Sequence, residues 1–112
     1  MTTNQQHPEH IEIPADGELQ TVLNVFKTMS DPTRMRIILT IANGPITVTE
    51  IAQQLGLEQS TISHQLRQLK QERLVIGKRS GKQIFYQLVD DHVLQIYYLT
   101  KSHIDEKHAA EK

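Results

Sequence analysis

Cysteine is absent from the 112 residues, which removes disulfide scaffolds, thiol nucleophiles, thiolate metal sites and redox switches together. No stretch approaches the ~20 apolar residues that a membrane-spanning helix needs, so no membrane partner is expected. Met1–Gln20 holds no Lys or Arg and no apolar core, unlike a signal peptide; a cytoplasmic protein is the expectation. A glycine-rich phosphate loop is missing, as is any Ser/His/Asp spacing from which a nucleophilic triad could be built. Neither an enzyme nor an organic cofactor is expected. The chain also lacks internal repeats and low-complexity tracts.

What is present fits one small globular domain: 12.9 kDa, 38% hydrophobic, 22% charged and a net charge of −1. Six histidines are many for this length. The near-neutral total conceals an asymmetry. Met1–Gln20 carries Glu9, Glu12, Asp16 and Glu18 without a base, whereas Ser60–Lys82 holds Arg67, Lys70, Arg73, Lys78, Arg79 and Lys82 against Glu72 alone. A basic block can neutralise a polyanion and release its counterions, although a solvated helix face has the same composition.

Apolar spacing divides the chain. After an acidic tail (1–17) with Pro8 and Pro14, the steps of three and four among Leu19, Val22, Leu23, Phe26 and Met29 predict a helix from about Glu18. Ser30-Asp31-Pro32 ends it and begins a second helix, with a polar cap followed by proline at the first helical position. Met35, Ile38, Leu39 and Ala42 give that helix its apolar stripe before Asn43-Gly44-Pro45. Thr47-Val48-Thr49-Glu50 fits a capping box for a short helix closed by Gly56. Another helix starts near Gln59–Ser60, with Ile62, Leu66 and Leu69 inward. Two short helices about a glycine turn form a helix-turn-helix, and the second is the candidate reading helix. Leu74–Ile76 and Gln83–Val89 read as strands about a turn at Lys78–Lys82, which makes a wing. A last helix runs from Asp90 to about Lys107. The order is ααααββα: a mainly α winged helix-turn-helix domain (18–107) with a β-hairpin wing and a short C-terminal tail (108–112).

The reading helix turns Gln59, Ser60, Thr61, Ser63, His64 and Arg67 toward a prospective DNA duplex, with Lys78, Arg79 and Lys82 on the wing beside it. Gln bonds adenine bidentately, Ser and His reach base edges or phosphates, and cations lie against phosphates. Polar residues on an outward face are also what plain solvation selects. The coincidence of turn geometry, basic block and basic wing in one segment favours DNA. One module reads few base pairs, so a homodimer on a palindromic operator is expected.

On the last helix, His92 and His103 are eleven residues apart, on one face but separated by roughly 16 Å of rise. One metal with bonds of about 2 Å cannot join them within a helix. Each has a local carboxylate: Asp90 two before His92, and Glu106 three after His103. An antiparallel second copy would bring the Asp90/His92 end against the His103/Glu106 end, giving two symmetric sites per dimer around Ile96 and Leu99. Two imidazoles with two carboxylates suit Zn(II) or Co(II) and not thiophilic metals. Interfacial packing by the same histidines is the competing reading.

Three stretches carry a resemblance across about Glu18–Glu106. These are MSDPTRMRIIL (Met29–Leu39), QSTISHQLRQLKQERLV (Gln59–Val75) and GKQIFYQL (Gly81–Leu88). Together they resemble the ArsR/SmtB family of winged-helix metal-sensing repressors, which dimerise through the N- and C-terminal helices. Zinc and cobalt sensors of that family carry Asp-x-His, ten residues, then His-x-x-Glu or His on the C-terminal helix. Asp90-Asp91-His92 and His103-Ile104-Asp105-Glu106 match in identity and spacing. The resemblance implies an apo dimer that represses and a metal that weakens its hold on operator DNA, releasing efflux or resistance genes. It also implies that a ring nitrogen of His103 bonds backbone near Arg73. Arsenic, cadmium and lead sensors place cysteines before the turn, where Ile46–Ile51 has none. Nickel sensors recruit ligands from the chain ends, where His7, His10 and His108 lie, so Ni(II) stands as an alternative effector.

Overall fold

A computed structural model describes residues 10–110, with side chains up to residue 107. Residues 1–9 of the expected tail, His7 among them, lie outside the described residues, as do residues 111–112 and the His108 side chain. The elements are α1 (Asp16–Met29), α2 (Pro32–Ile41), α3 (Val48–Leu55), α4 (Gln59–Gln71), β1 (Val75–Ser80), β2 (Gln83–Leu88) and α5 (His92–Ala110). This is the expected ααααββα order, five helices and one antiparallel hairpin. Among the described residues no helix is long and apolar enough to cross a membrane.

Local chemistry sets the boundaries. The Asp31 carboxylate accepts from Arg34 N at 2.9 Å, capping α2, whose first residue is Pro32. Pro lacks the N–H that would be orphaned there. At α3 the capping box is complete: Thr47 Oγ1 accepts from Glu50 N at 3.2 Å, and Glu50 Oε1 accepts from Thr47 N at 3.0 Å. Gly56 closes α3 in the left-handed region at φ +67, a conformation that glycine adopts without steric cost. The residues between α3 and α4 are thus too few to drift, and the two helices stay in contact.

Helix α2 occupies the centre, packed against α1, α3, α4 and β2. Ile37, Ile38 and Ile41 are buried with Ile46, Ile51, Ala52, Ile62, Leu66, Leu69, Val75 and Val93 in one core. The expected α2 stripe included Leu39 and Ala42, yet both are only half-buried and line a cavity with Leu94, Tyr97 and Tyr98 of α5. A helix covered on several sides has no single apolar face, so periodicity underestimates its buried set.

The hairpin differs from its expected bounds. Lys78, Arg79 and Ser80 are strand, paired with Phe85, Ile84 and Gln83, and only Gly81-Lys82 forms the loop. Gly81 has φ +65 at the first loop position, as in the tight turns that match strand twist. The ribbon is exposed along most of β1, so no apolar alternation marks it in the sequence. Helix α1 begins two residues before Glu18, and α5 begins after Asp90 and continues to Ala110.

Candidate DNA-binding and metal sites

Helix α4 inserts Ile62, Leu66 and Leu69 into the core, which forces its opposite side outward. Gln59, Ser60, Ser63, His64 and Arg67 are exposed, whereas Thr61 is half-buried beside the α3–α4 cleft. Lys78, Arg79 and Lys82 are exposed on the wing. Among the described residues no ion pair engages any of these cations. Their charge is available to a polyanion.

The wing is anchored where the helix-turn-helix begins. Ile46 and Tyr86 form an isolated antiparallel bridge, so β2 is fastened to the segment that enters α3. At the other end, Leu74 N donates to Leu69 O at 2.9 Å and Arg73 N to Lys70 O at 2.9 Å. That pair of bonds is the Schellman closure of a helix. Arg73 occupies its left-handed position at φ 60, where glycine is usual.

Sequence reasoning did not single out a contact between α2 and α4. Arg34 Nε donates to Gln65 Oε1 at 2.8 Å, and Arg34 Nη2 donates to Gln68 Oε1. Gln68 Nε2 lies 3.4 Å from His64 Nε2. Of this network only the His64–Gln68 approach, four apart on one helix, has a signal in local spacing.

At the start of α5, His92 Nδ1 lies 3.2 Å from Asp90 Oδ2, with the side chains 75% and 51% exposed. Asp90 Oδ1 also accepts from His92 N at 3.0 Å, which holds the carboxylate beside the ring. His103 and Glu106 are exposed further along the same helix. Between them, Asp105 accepts from Lys101 Nζ at 2.8 Å. That hydrogen bond, with the charge of Asp105, holds the Lys101 ammonium above its ordinary range and leaves Glu106 as the carboxylate free of this pair. Among the described residues no three His, Asp or Glu side chains converge within one protomer. Asp90 and His92 stand together as one imidazole–carboxylate pair, and His103 and Glu106, three apart on α5, offer the same two donor types. No hydrogen bond of the described residues joins His103 to the backbone near Arg73. His10 is exposed ahead of α1.

Large apolar side chains also remain uncovered. Leu19, Val22, Leu23 and Phe26 of α1 and Tyr98, Leu99 and Ile104 of α5 are exposed, Leu99 by 75%. In α1 only Thr28 is buried.

Fold and surface together define a winged helix-turn-helix regulator. Residues 31–76, from the α2 cap into β1, match the arsR family of bacterial regulatory proteins. The HTH-type transcriptional regulator NmtR of Mycobacterium tuberculosis is 40% identical over 84 residues, 74% of this chain and 70% of its own. A transcriptional repressor described as an SmtB homolog, from Synechocystis sp., is 32% identical over 95 residues, 85% of this chain and 72% of its own. The homodimeric winged helix-turn-helix DNA-binding domain of Mb0332 from Mycobacterium bovis superposes with a TM-score of 0.72 at 27% identity, over 86% of this chain and 92% of that one. The chain belongs to the arsR family of bacterial regulatory proteins, the ArsR/SmtB repressors that its motifs resemble. It is a transcriptional repressor rather than an enzyme.

Proposed function

We propose that this chain is a cytoplasmic, metal-responsive repressor whose homodimer binds a palindromic operator in double-stranded DNA and loosens its hold when Zn(II), or Co(II), binds between subunits on α5. The observation that carries this reading is the division of ligands between the two ends of α5. Asp90 with His92 and His103 with Glu106 each supply half of a four-coordinate set, and about 16 Å of helix separates them. A second copy of α5 running antiparallel completes two sites.

The uncovered apolar faces of α1 and α5 support the dimer, as does the homodimeric state of the Mb0332 domain. Burying such side chains against a partner copy contributes about 25 cal/mol for each Å² of apolar surface removed from water. Gln59, Ser60, Thr61, Ser63, His64 and Arg67 read one half-site, and Lys78, Arg79 and Lys82 grip its phosphates. The dimer contact sets the distance between the two reading helices, which must match one turn of the duplex.

Bound metal supplies a link between subunits. A link favouring any other spacing costs operator affinity, commonly by about 1–3 kcal/mol of coupling. The protein's part is to hold Asp90 against His92 and to keep Glu106 free of Lys101. A nickel site recruiting His10, with His7 and His108, is the alternative that a metal panel would separate by coordination number.

The test is fluorescence anisotropy on a labelled palindromic operator fragment, first with apo protein and then with one zinc equivalent per protomer. Affinity is expected to fall at least fivefold, as about 1 kcal/mol of coupling implies, and to recover with chelator. Unchanged affinity would overturn the sensing reading and leave the DNA reading intact. Loss of response in His92→Gln, His103→Gln and Glu106→Gln alike would support the four-ligand set.

A further inference from the structure

The contact between α2 and α4 orders more than packing. The Arg34 guanidinium only donates, so each side-chain atom it bonds must be an acceptor, and of the two ends of an amide only the carbonyl oxygen is one. Both amides it touches, Gln65 and Gln68, therefore turn their carbonyl oxygens toward α2. For Gln68 this leaves the NH2 end facing outward along α4, toward His64 Nε2 at 3.4 Å. An amide NH2 only donates, so a hydrogen bond across this contact requires the ring nitrogen to accept, which is the Nδ1–H tautomer.

We propose that Arg34 is a positioning residue for DNA reading, acting through Gln68 to fix His64 in its Nδ1–H tautomer and to present an N–H donor, rather than a bare nitrogen, to the duplex. The inference rests on the DNA-facing role of α4 given above and adds the protonation pattern with which one reading side chain meets its base or phosphate. Donor and acceptor are opposite letters in the major-groove code, so the tautomer decides which base edges His64 favours. The geometry suits the task. Arg34 N is fixed by the Asp31 cap, Arg34 bonds two glutamines three residues apart on α4, and Gln65 and Gln68 are half-buried while His64 is exposed. The orienting groups are held by the fold and the oriented ring is open to a ligand.

The test uses the full chain labelled with 15N-histidine, the His64 signals being identified by their loss in His64→Asn. Ring-nitrogen spectra are recorded at a pH of about 8.5, where imidazole is neutral. Wild type is expected to show the Nδ1–H form in excess. Gln68→Glu keeps an acceptor for Arg34 but offers His64 only another acceptor, so the ratio should move toward Nε2–H by roughly fivefold or more, as one net hydrogen bond supports. Arg34→Gln should shift it the same way, and Arg34→Lys should restore part of the excess. A His64 ratio identical in wild type, Gln68→Glu and Arg34→Gln would overturn the proposal.

The second arm selects ligands for each variant from random-sequence DNA duplexes. A changed base preference at one position per half-site in Arg34→Gln and Gln68→Glu supports the proposal, and an unchanged selected sequence despite a changed tautomer overturns it. Failure of wild type to enrich any sequence would instead refute the DNA-reading role of α4, while the spectra still decide the link from Arg34 to His64.

Discussion

Ile46 and Tyr86 exchange two backbone hydrogen bonds, Tyr86 N to Ile46 O at 2.8 Å and Ile46 N to Tyr86 O at 3.1 Å. They are the only backbone link of the described residues between β2 and the segment entering α3. A two-stranded ribbon is marginal alone in water, so this bridge gives the wing a fixed direction. Ile46→Pro removes one donor and strands the Tyr86 carbonyl. It is expected to lower stability by about 1–3 kcal/mol and to speed amide exchange in β2. An unaltered urea midpoint would refute the anchoring role.

Arg73 sits at φ 60 in the Schellman closure of α4. A side chain in that region costs roughly 1–2 kcal/mol relative to glycine. Arg73→Gly should therefore stabilise the domain by about 1 kcal/mol, raising the melting temperature by roughly 4–8 °C. A lower melting temperature would mean that the arginine side chain makes compensating contacts worth more than the backbone strain.

Removing wing charge should change salt dependence more than sequence preference. The slope of log affinity against log salt reflects about 0.9 for each phosphate neutralised on duplex DNA. Arg79→Ala and Lys82→Ala are each expected to flatten it by about one unit per half-site contact, whereas Gln59→Ala should relax base preference and leave the slope nearly unchanged. Titrations at several salt concentrations, with operator and scrambled duplexes, separate the two effects. An unchanged slope in both wing variants would exclude the wing from the phosphate contacts.

How much of this was legible in the sequence depends on the range of the interactions. The helices announced themselves through local spacing and caps: Asp31-Pro32, Thr47 to Glu50, and Gly56 each act within one turn. The sequence marks the wing but not the true length of its turn, because Lys78, Arg79 and Ser80 are polar residues of an exposed ribbon and carry no apolar alternation. Ile37 was overlooked as core since the covering of α2 from several sides is a tertiary fact. The contact of Arg34 with Gln65 and Gln68 joins residues more than thirty positions apart, which no local pattern reveals. For the proposed metal ligands, spacing and helical rise suggest pairing Asp90 with His92 and His103 with Glu106, and of these pairs the structure shows the 3.2 Å contact at the first.

That separation of ligand pairs along α5 carries a genetic consequence. Under the proposed arrangement, His92→Ala damages both sites of a homodimer, and so does His103→Ala. A mixed dimer behaves otherwise. One of its sites collects both lesions, while the other draws an intact His103/Glu106 end from the first protomer and an intact Asp90/His92 end from the second. Two alleles that are each blind to the effector should complement one another when co-expressed, restoring one site per dimer and part of the response, measurable by metal titration of purified mixed dimers. Alleles with both lesions in one chain should fail to complement each other. A mixed dimer no better than either parent would mean that the ligands do not cross between subunits.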